Sequence, residues 1–169
     1  MKIRNAQLAD IEPIMNIYRR ATHFMQQTGN GNQWINGYPS KELIENDILT
    51  GCSYVCTNEN NAITGVFYFS QAGEATYARI DDGKWLNDLP YGVIHRLAAA
   101  SGGLGITSFC LEWCFGQCNN IRVDTHQDNH IMQRILRRNG FKQCGVITLA
   151  NGSKRLAFHK YEPANHLLE

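Results

Sequence analysis

The chain has 169 residues, 43% of them apolar and 18% charged, and 16 Lys and Arg face 15 Asp and Glu for a formal net charge of +1. This is the composition of a folded globular chain of one-domain length, not of a disordered segment. Near-balanced charge gives no electrostatic reason to expect a nucleic-acid or membrane-surface partner, and no apolar run is long enough to span a bilayer. No apolar segment of the secretory kind follows Met1-Lys2-Ile3-Arg4-Asn5, so a soluble cytoplasmic protein is expected.

Lys2–Ala6 reads as a first strand. Asp10 stands as a helix N-cap, with Pro13 tolerated in the first turn. Ile11, Ile14, Met15 and Tyr18 follow at helical spacing and carry the helix to about Met25. Gln26–Pro39, rich in Gly, Asn and Gln, reads as a loop that holds Trp34 and Tyr38. Ser40 caps a second helix, Lys41–Leu49, which Gly51 ends. Ser53–Thr57 and Ala62–Ser70 form a hairpin across an Asn-rich turn, and Ala75–Ile80 reads as a third strand of this group. Gly92–Ala99 is an apolar strand, and a glycine turn leads from it into a helix from about Ile106 to Cys118. Ile121–Thr125 is the next strand and Asn129–Arg138 the last helix, stopped at Asn139-Gly140. Phe141–Leu149 and Arg155–Tyr161 are the final strands.

This order predicts an α/β chain with a mixed α+β sheet, mostly antiparallel, built around a central parallel βαβ unit and flanked by helices. A single domain over residues 1–165 is expected, with 166–169 as a tail.

The run from Tyr91 to Ser108 is a strand, a glycine turn and a helix start. Glycines let backbone N–H groups converge with no Cβ in the way, and the helix N-terminus adds partial positive charge; together they form an anion cradle. The same residues also serve a tight strand-to-helix connection without a ligand. A P-loop is excluded because no Gly-Lys-Ser/Thr is present. A dinucleotide-binding turn fits poorly: Gly103 and Gly105 give G-x-G, but residue 108 is Ser and the turn comes late in the chain.

At these residues the chain resembles the GNAT acyltransferase superfamily, over nearly its whole length. Ile3-Arg4-Asn5-Ala6 followed by Ala9-Asp10-Ile11 is similar to the family's first strand and helix. His95-Arg96-Leu97-Ala98 is similar to the end of its fourth strand, and the glycine turn to its pyrophosphate loop. Asp128-Asn129 and Asn139-Gly140-Phe141 bracket a helix as in its second cofactor motif. The loop pattern Arg/Gln-x-x-Gly-x-Gly/Ala aligns with Gly102-Gly103-Leu104-Gly105-Ile106-Thr107, so Gly102 replaces the basic or amide residue and Thr107 the last small one.

The resemblance implies acetyl-CoA as donor, no metal, a primary amine as acceptor and a homodimer. It places the oxyanion donor at the backbone N–H of Leu97 or Ala98, and the pantetheine arm along Leu97, Ala98 and Ala99. Asn129 would bond that arm, cap its own helix, or do both. Val93 stands where several members carry a catalytic Glu; His95, two residues on and therefore on the same strand face, is the first candidate base, and His126, at the end of the next strand beside Asp124 and Asp128, the second. Where the family often uses a Tyr to protonate the thiolate, this chain has Leu136, which leaves Tyr91 and Tyr77 as the nearest candidates. The acceptor pocket is expected at Phe24, Trp34 and Tyr38, with Trp85 as its other wall. The implied function is acetyl-CoA-dependent N-acetyl transfer to the amine of a small molecule or peptide; Leu136 and Val93 keep a non-catalytic CoA-binding module as the rival.

Cys110, Cys114 and Cys118 share one helical face, as core filling or as thiolate metal ligands, and all six cysteines are expected reduced. Arg134, Arg137 and Arg138 form a basic helix surface, either solvated or aimed at cofactor phosphates.

Overall fold

The computed structural model describes residues 1–100 and 104–163. Its strands are β1 (Lys2–Asn5), β2 (Ser53–Thr57), β3 (Ile63–Ser70), β4 (Gly92–Ala99), β5 (Asn120–Thr125), β6 (Lys142–Thr148) and β7 (Lys154–Tyr161). They form one seven-stranded sheet in the order β1-β2-β3-β4-β5-β7-β6. The β4–β5 pair is parallel and the others are antiparallel. The helices are α1 (Ile11–Gln27), α2 (Lys41–Leu49), α3 (Leu104–Cys118) and α4 (His130–Arg138). A mixed sheet around a parallel βαβ unit is the architecture expected from the element order.

Strand alternation sorts the core onto two faces. Val55, Val66 and Ala98 pack with Ile11, Ile14, Tyr18 and Ile44 of α1 and α2. Cys56, Phe67 and Ile94 pack with Leu111, Cys114 and Phe115 of α3 and with Ile135 and Leu136 of α4. α3 lies tight against β3: a Cβ at Gly65 would come within 2.8 Å of Ile106 Cγ2, so only glycine fits there without pushing the Ile106 side chain aside.

Local signals set several boundaries as expected. The Ser40 hydroxyl accepts from Leu43 N–H at 3.1 Å, and Asn129 Oδ1 accepts from Met132 N–H at 3.0 Å. Asp10 works one turn earlier than expected. A short 3-10 turn, Leu8–Asp10, precedes α1, and the Asp10 carboxylate accepts from Gln7 N–H at 2.8 Å and from Arg4 at 2.7 and 3.0 Å. The strand expected at Ala75–Ile80 does not form. The Glu74 carboxylate accepts from both the N–H (3.2 Å) and the hydroxyl (3.1 Å) of Thr76, which turns Ala75–Tyr77 into a 3-10 turn. Such local side-chain bonds compete with a ladder.

Across the sheet, His159 is fully buried. Its Nδ1 accepts from Leu86 N–H at 3.1 Å, so Nε2 donates to Asn120 Oδ1 at 2.6 Å, and the neutral ring satisfies both neighbours. Burial, helped by Arg122, pulls its pKa down from 6.5 to about 4. The unfolded chain therefore binds this proton first as pH falls, and the stability held above pH 6.5 is lost on descent through about 4. In urea unfolding, the wild type is expected to lose about 3 kcal/mol more than His159→Gln over that window. Parallel pH profiles for the two proteins would count against this assignment.

Candidate active site

The site begins where β4 and β5 part. Their parallel pairing covers Gly92–Ile121, Val93–Arg122 and Ile94–Val123, and no pairing follows. On its other edge β4 continues to pair with β3 through Ala98 and Ala99. Between them, Val66 opposes Ala98 while Tyr68 opposes His95, so Arg96 and Leu97 together face Phe67 in a bulge. Arg96 takes a φ of +53°, in the left-handed region. Ala100 N–H bonds Thr64 O on β3 at 2.8 Å. Backbone alternation therefore directs the N–H groups of Leu97 and Ala99 into the gap beside β5.

Long-range bonds hold the bulge open. The Arg96 guanidinium donates to Asp47 Oδ2 at 2.6 Å and to the Tyr38 hydroxyl at 3.1 Å, and lies 4.8 Å above the Tyr68 ring. The Arg96 carbonyl accepts from the Tyr18 hydroxyl at 2.9 Å. One residue thus fastens α1, α2 and the loop that carries Tyr38 to the strand.

The gap opens into a cleft of about 1230 Å³. Leu97, Ala98, Ala99, Thr107 and Asn129 line it, as do Phe24, Trp34, Tyr38, His95 and Glu74. Trp34 is fixed edge-on between Tyr18 (5.6 Å) and Tyr38 (6.3 Å). Asn129 donates to Gln33 Oε1 at 2.8 Å, which ties the loop holding Trp34 to the start of α4. Arg134 and Arg138 also reach the cleft, whereas Arg137 turns away to Gln143 at 2.9 Å.

His95 is the centre of a polar network. Its Nε2 lies 2.9 Å from Glu74 Oε2, and its Nδ1 lies 3.9 Å from Asp124 Oδ2. Asp124 Oδ2 accepts from the Tyr77 hydroxyl at 2.6 Å. The Glu74 carboxyl is held down to about 2, first by its bond with His95 and then by Thr76 N–H. An ionised carboxylate only accepts, so the proton of the neutral ring sits on Nε2 and the Nδ1 lone pair stays open.

Other expected site residues lie elsewhere. Tyr91 is not at the cleft: its ring stacks on Tyr77 with Arg122 on its face at 3.9 Å, and its hydroxyl accepts from Glu74 N–H at 3.3 Å. Trp85 is not a cleft wall either, since it packs on Tyr77 (5.3 Å) and His159 (5.7 Å) with its ring N–H on Tyr77 O. Tyr77 is fully buried and spends its proton on Asp124. Val93 and Leu136 are core residues. His126 is turned to the Asp128 N–H at 3.1 Å. Ile106 packs into the core, and Gly105 is exposed at the start of α3. Gly102, Gly103 and the Leu104 side chain lie outside the described residues.

The cysteine face is core. Cys110 and Cys114 are fully buried and burial pushes both thiols up, which favours the neutral, apolar form. Among the described residues no group of three or more His, Cys, Asp or Glu is placed to hold a metal.

Glu74, Asp47 and Arg155 enter the site without having been expected there. Arg155 sits in the cleft wall and donates to Gln33 O at 3.3 Å. No local pattern marked them, because each acts through partners far away in the chain.

A parallel pair that splays beside a bulged strand leaves a free strand edge, the kind of edge along which an extended ligand can lie. A crystal structure of a GNAT-family acetyltransferase from Streptococcus agalactiae matches with TM-score 0.87 and 31% identity over 96% of each chain. A GNAT-superfamily phosphinothricin acetyltransferase from Sinorhizobium meliloti, solved in complex with AcCoA, matches with TM-score 0.62 and 18% identity over 98% of this chain and 94% of that one. A ribosomal-protein-alanine N-acetyltransferase from Brucella melitensis matches with TM-score 0.59 and 17% identity over 96% and 100%. No family model matches the chain, and no curated protein does. On the match to the Streptococcus agalactiae structure, the chain belongs to the GNAT family of acetyltransferases.

Proposed function

We propose that the chain transfers the acetyl group of acetyl-CoA to the amine of a small molecule or peptide. The observation that carries this reading is the His95–Glu74 pair set beside the open edge of β4. The thioester arm lies along Leu97–Ala99, in the place a paired strand would take. Leu97 N–H, freed by the bulge, faces the thioester oxygen and stabilises the oxyanion; this donor is Leu97 rather than Ala98, whose N–H turns to β3. Thr107 flanks the phosphate end at the start of α3 with Gly105 and Ile106, and Asn129 borders the arm from α4. Arg134 and Arg138 supply positive charge for the phosphates.

The acceptor enters from the Phe24, Trp34 and Tyr38 side as an ammonium, drawn by the Asp124 carboxylate. His95 Nδ1 takes one proton, and Glu74 stabilises the imidazolium that results. The neutral nitrogen attacks the thioester carbon and a C–N bond forms; the C–S bond breaks with its electron pair leaving on sulfur, and the second proton shed by the nitrogen makes good the one that Tyr38 gives to that sulfur. Tyr38 replaces Tyr91 as the tyrosine at the cleft. Its oxygen accepts from Arg96 and its own O–H points to no described partner, so it is assigned as proton donor to the departing thiolate.

Two measurements test the reading. Acetyl-CoA is expected to raise the thermal unfolding midpoint, and free thiol is expected to appear across a panel of primary amines. No thermal shift would remove acetyl-CoA as ligand. A shift with no thiol from any amine would replace the enzyme with a non-catalytic CoA-binding module.

A further inference from the structure

Three neighbouring strands present charged or titratable side chains on the same face of the sheet at the cleft: His95 on β4, Asp124 on β5 and Arg155 on β7. Two of the three are matched. His95 has Glu74, and Asp124 has the Tyr77 hydroxyl. Arg155 is not matched. It is only 7% exposed, yet among the described residues its guanidinium donates only to backbone carbonyls, Lys154 O at 3.0 Å and Gln33 O at 3.3 Å. Among the described residues no Asp or Glu oxygen lies within 4.0 Å of its nitrogens.

A buried guanidinium without an anion is costly, and the cost shows in this residue: burial lowers its pKa, with Asp124 opposing from a distance. Arg96, the other buried cation of the cleft, has its carboxylate in Asp47. A guanidinium left with unspent donors in a cleft wall is suited to a planar oxyanion. On the acceptor side Phe24, Met25 and Trp34 give the wall an apolar stretch, set among the polar Arg20, Thr28 and Asn36.

We propose that Arg155 binds the carboxylate of the acceptor, and that the acceptor is therefore an amino acid with an apolar body. This rests on the acetyltransferase reading of the same cleft. The amine sits between Asp124 and His95, the carboxylate pairs with Arg155, and the apolar part covers Trp34. Acetylation removes the positive charge and leaves the carboxylate, so the product keeps its bond to Arg155 and loses its hold on Asp124.

The test compares each standard α-amino acid, and β-alanine, with its own amide. Binding to the CoA-loaded protein is measured by calorimetry, and thiol release is measured separately with acetyl-CoA. At least one apolar acid is expected to bind on the order of tenfold or more tighter than its amide. Arg155→Gln should erase that ratio while leaving the amide's affinity unchanged, and Arg155→Lys should keep part of it. Unchanged amide affinity also shows that Arg155→Gln is folded. The proposal is overturned if no acid outbinds its amide in the wild type. It is overturned equally if Arg155→Gln weakens acid and amide alike, because Arg155 then acts only by holding Gln33. An acid preference that disappears in Arg155→Gln, with no thiol released from any acceptor, would support the subsite and overturn the transferase reading.

Discussion

Replacing His95 with Ala is expected to lower kcat/KM for the amine by about a hundredfold to ten-thousandfold, with little change in acetyl-CoA affinity. The ring faces the cleft, and with the proton on Nε2 its Nδ1 carries neither a proton nor a hydrogen-bond donor. Glu74 does not substitute for it. A carboxyl held down to about 2 is a weak proton acceptor at neutral pH. Its role is to fix the ring and stabilise the charged product of proton transfer. Glu74→Gln is thus expected to cost less, on the order of tenfold, and to add little on top of His95→Ala, because it acts through the ring. Thiol-release kinetics on the two single variants and the double variant decide the point. A His95→Ala enzyme within a few-fold of wild type, at saturating acetyl-CoA, would remove His95 as base.

Much of the scaffold was readable from local chemistry. Ser40, Gly51 and Asn129 mark element ends by capping or by a left-handed backbone, and these effects act within a few residues. The apolar run Gly92–Ala99 forms its strand over that same span, with Val93 and Ile94 buried on opposite faces of the sheet. The vacancies at Val93 and Leu136 were also readable, since both side chains are fully apolar and both are core. The features that shape the site were not local. The bulge at Arg96 needs Asp47, 49 residues away, and Tyr18, 78 residues away. Glu74 is placed by a 3-10 turn that its own carboxylate nucleates, in a stretch whose composition favours a strand. Trp85 and Tyr91 misled because an aromatic residue in a polar segment signals packing as readily as binding. Here both rings wrap Tyr77 and hold it against Asp124, behind the cleft rather than in it.

The bulge also sets where the fold is most fragile. Asp47→Ala is expected to destabilise the protein by about 3–5 kcal/mol, the range for breaking a buried ion pair from one side. The side chains of Arg96 and Asp47 are 10% and 6% exposed, and burial pushes the Asp47 carboxyl upward even beside the guanidinium. The pair therefore adds little net stability over an apolar replacement, yet removing one partner leaves a buried cation whose Nε already lacks an acceptor. Arg96→Met on top of Asp47→Ala should recover much of the loss, because it removes the stranded charge. Urea unfolding of the single and double variants reads this directly, and a single-variant loss below about 1 kcal/mol would contradict it. The double variant separates stability from function as well. Without the guanidinium, nothing links Tyr38 and Asp47 to the left-handed residue of β4, and the strand is free to relax toward regular pairing with β3. Leu97 N–H would then turn away from the gap, so the refolded double variant should be stable but impaired in acetyl transfer.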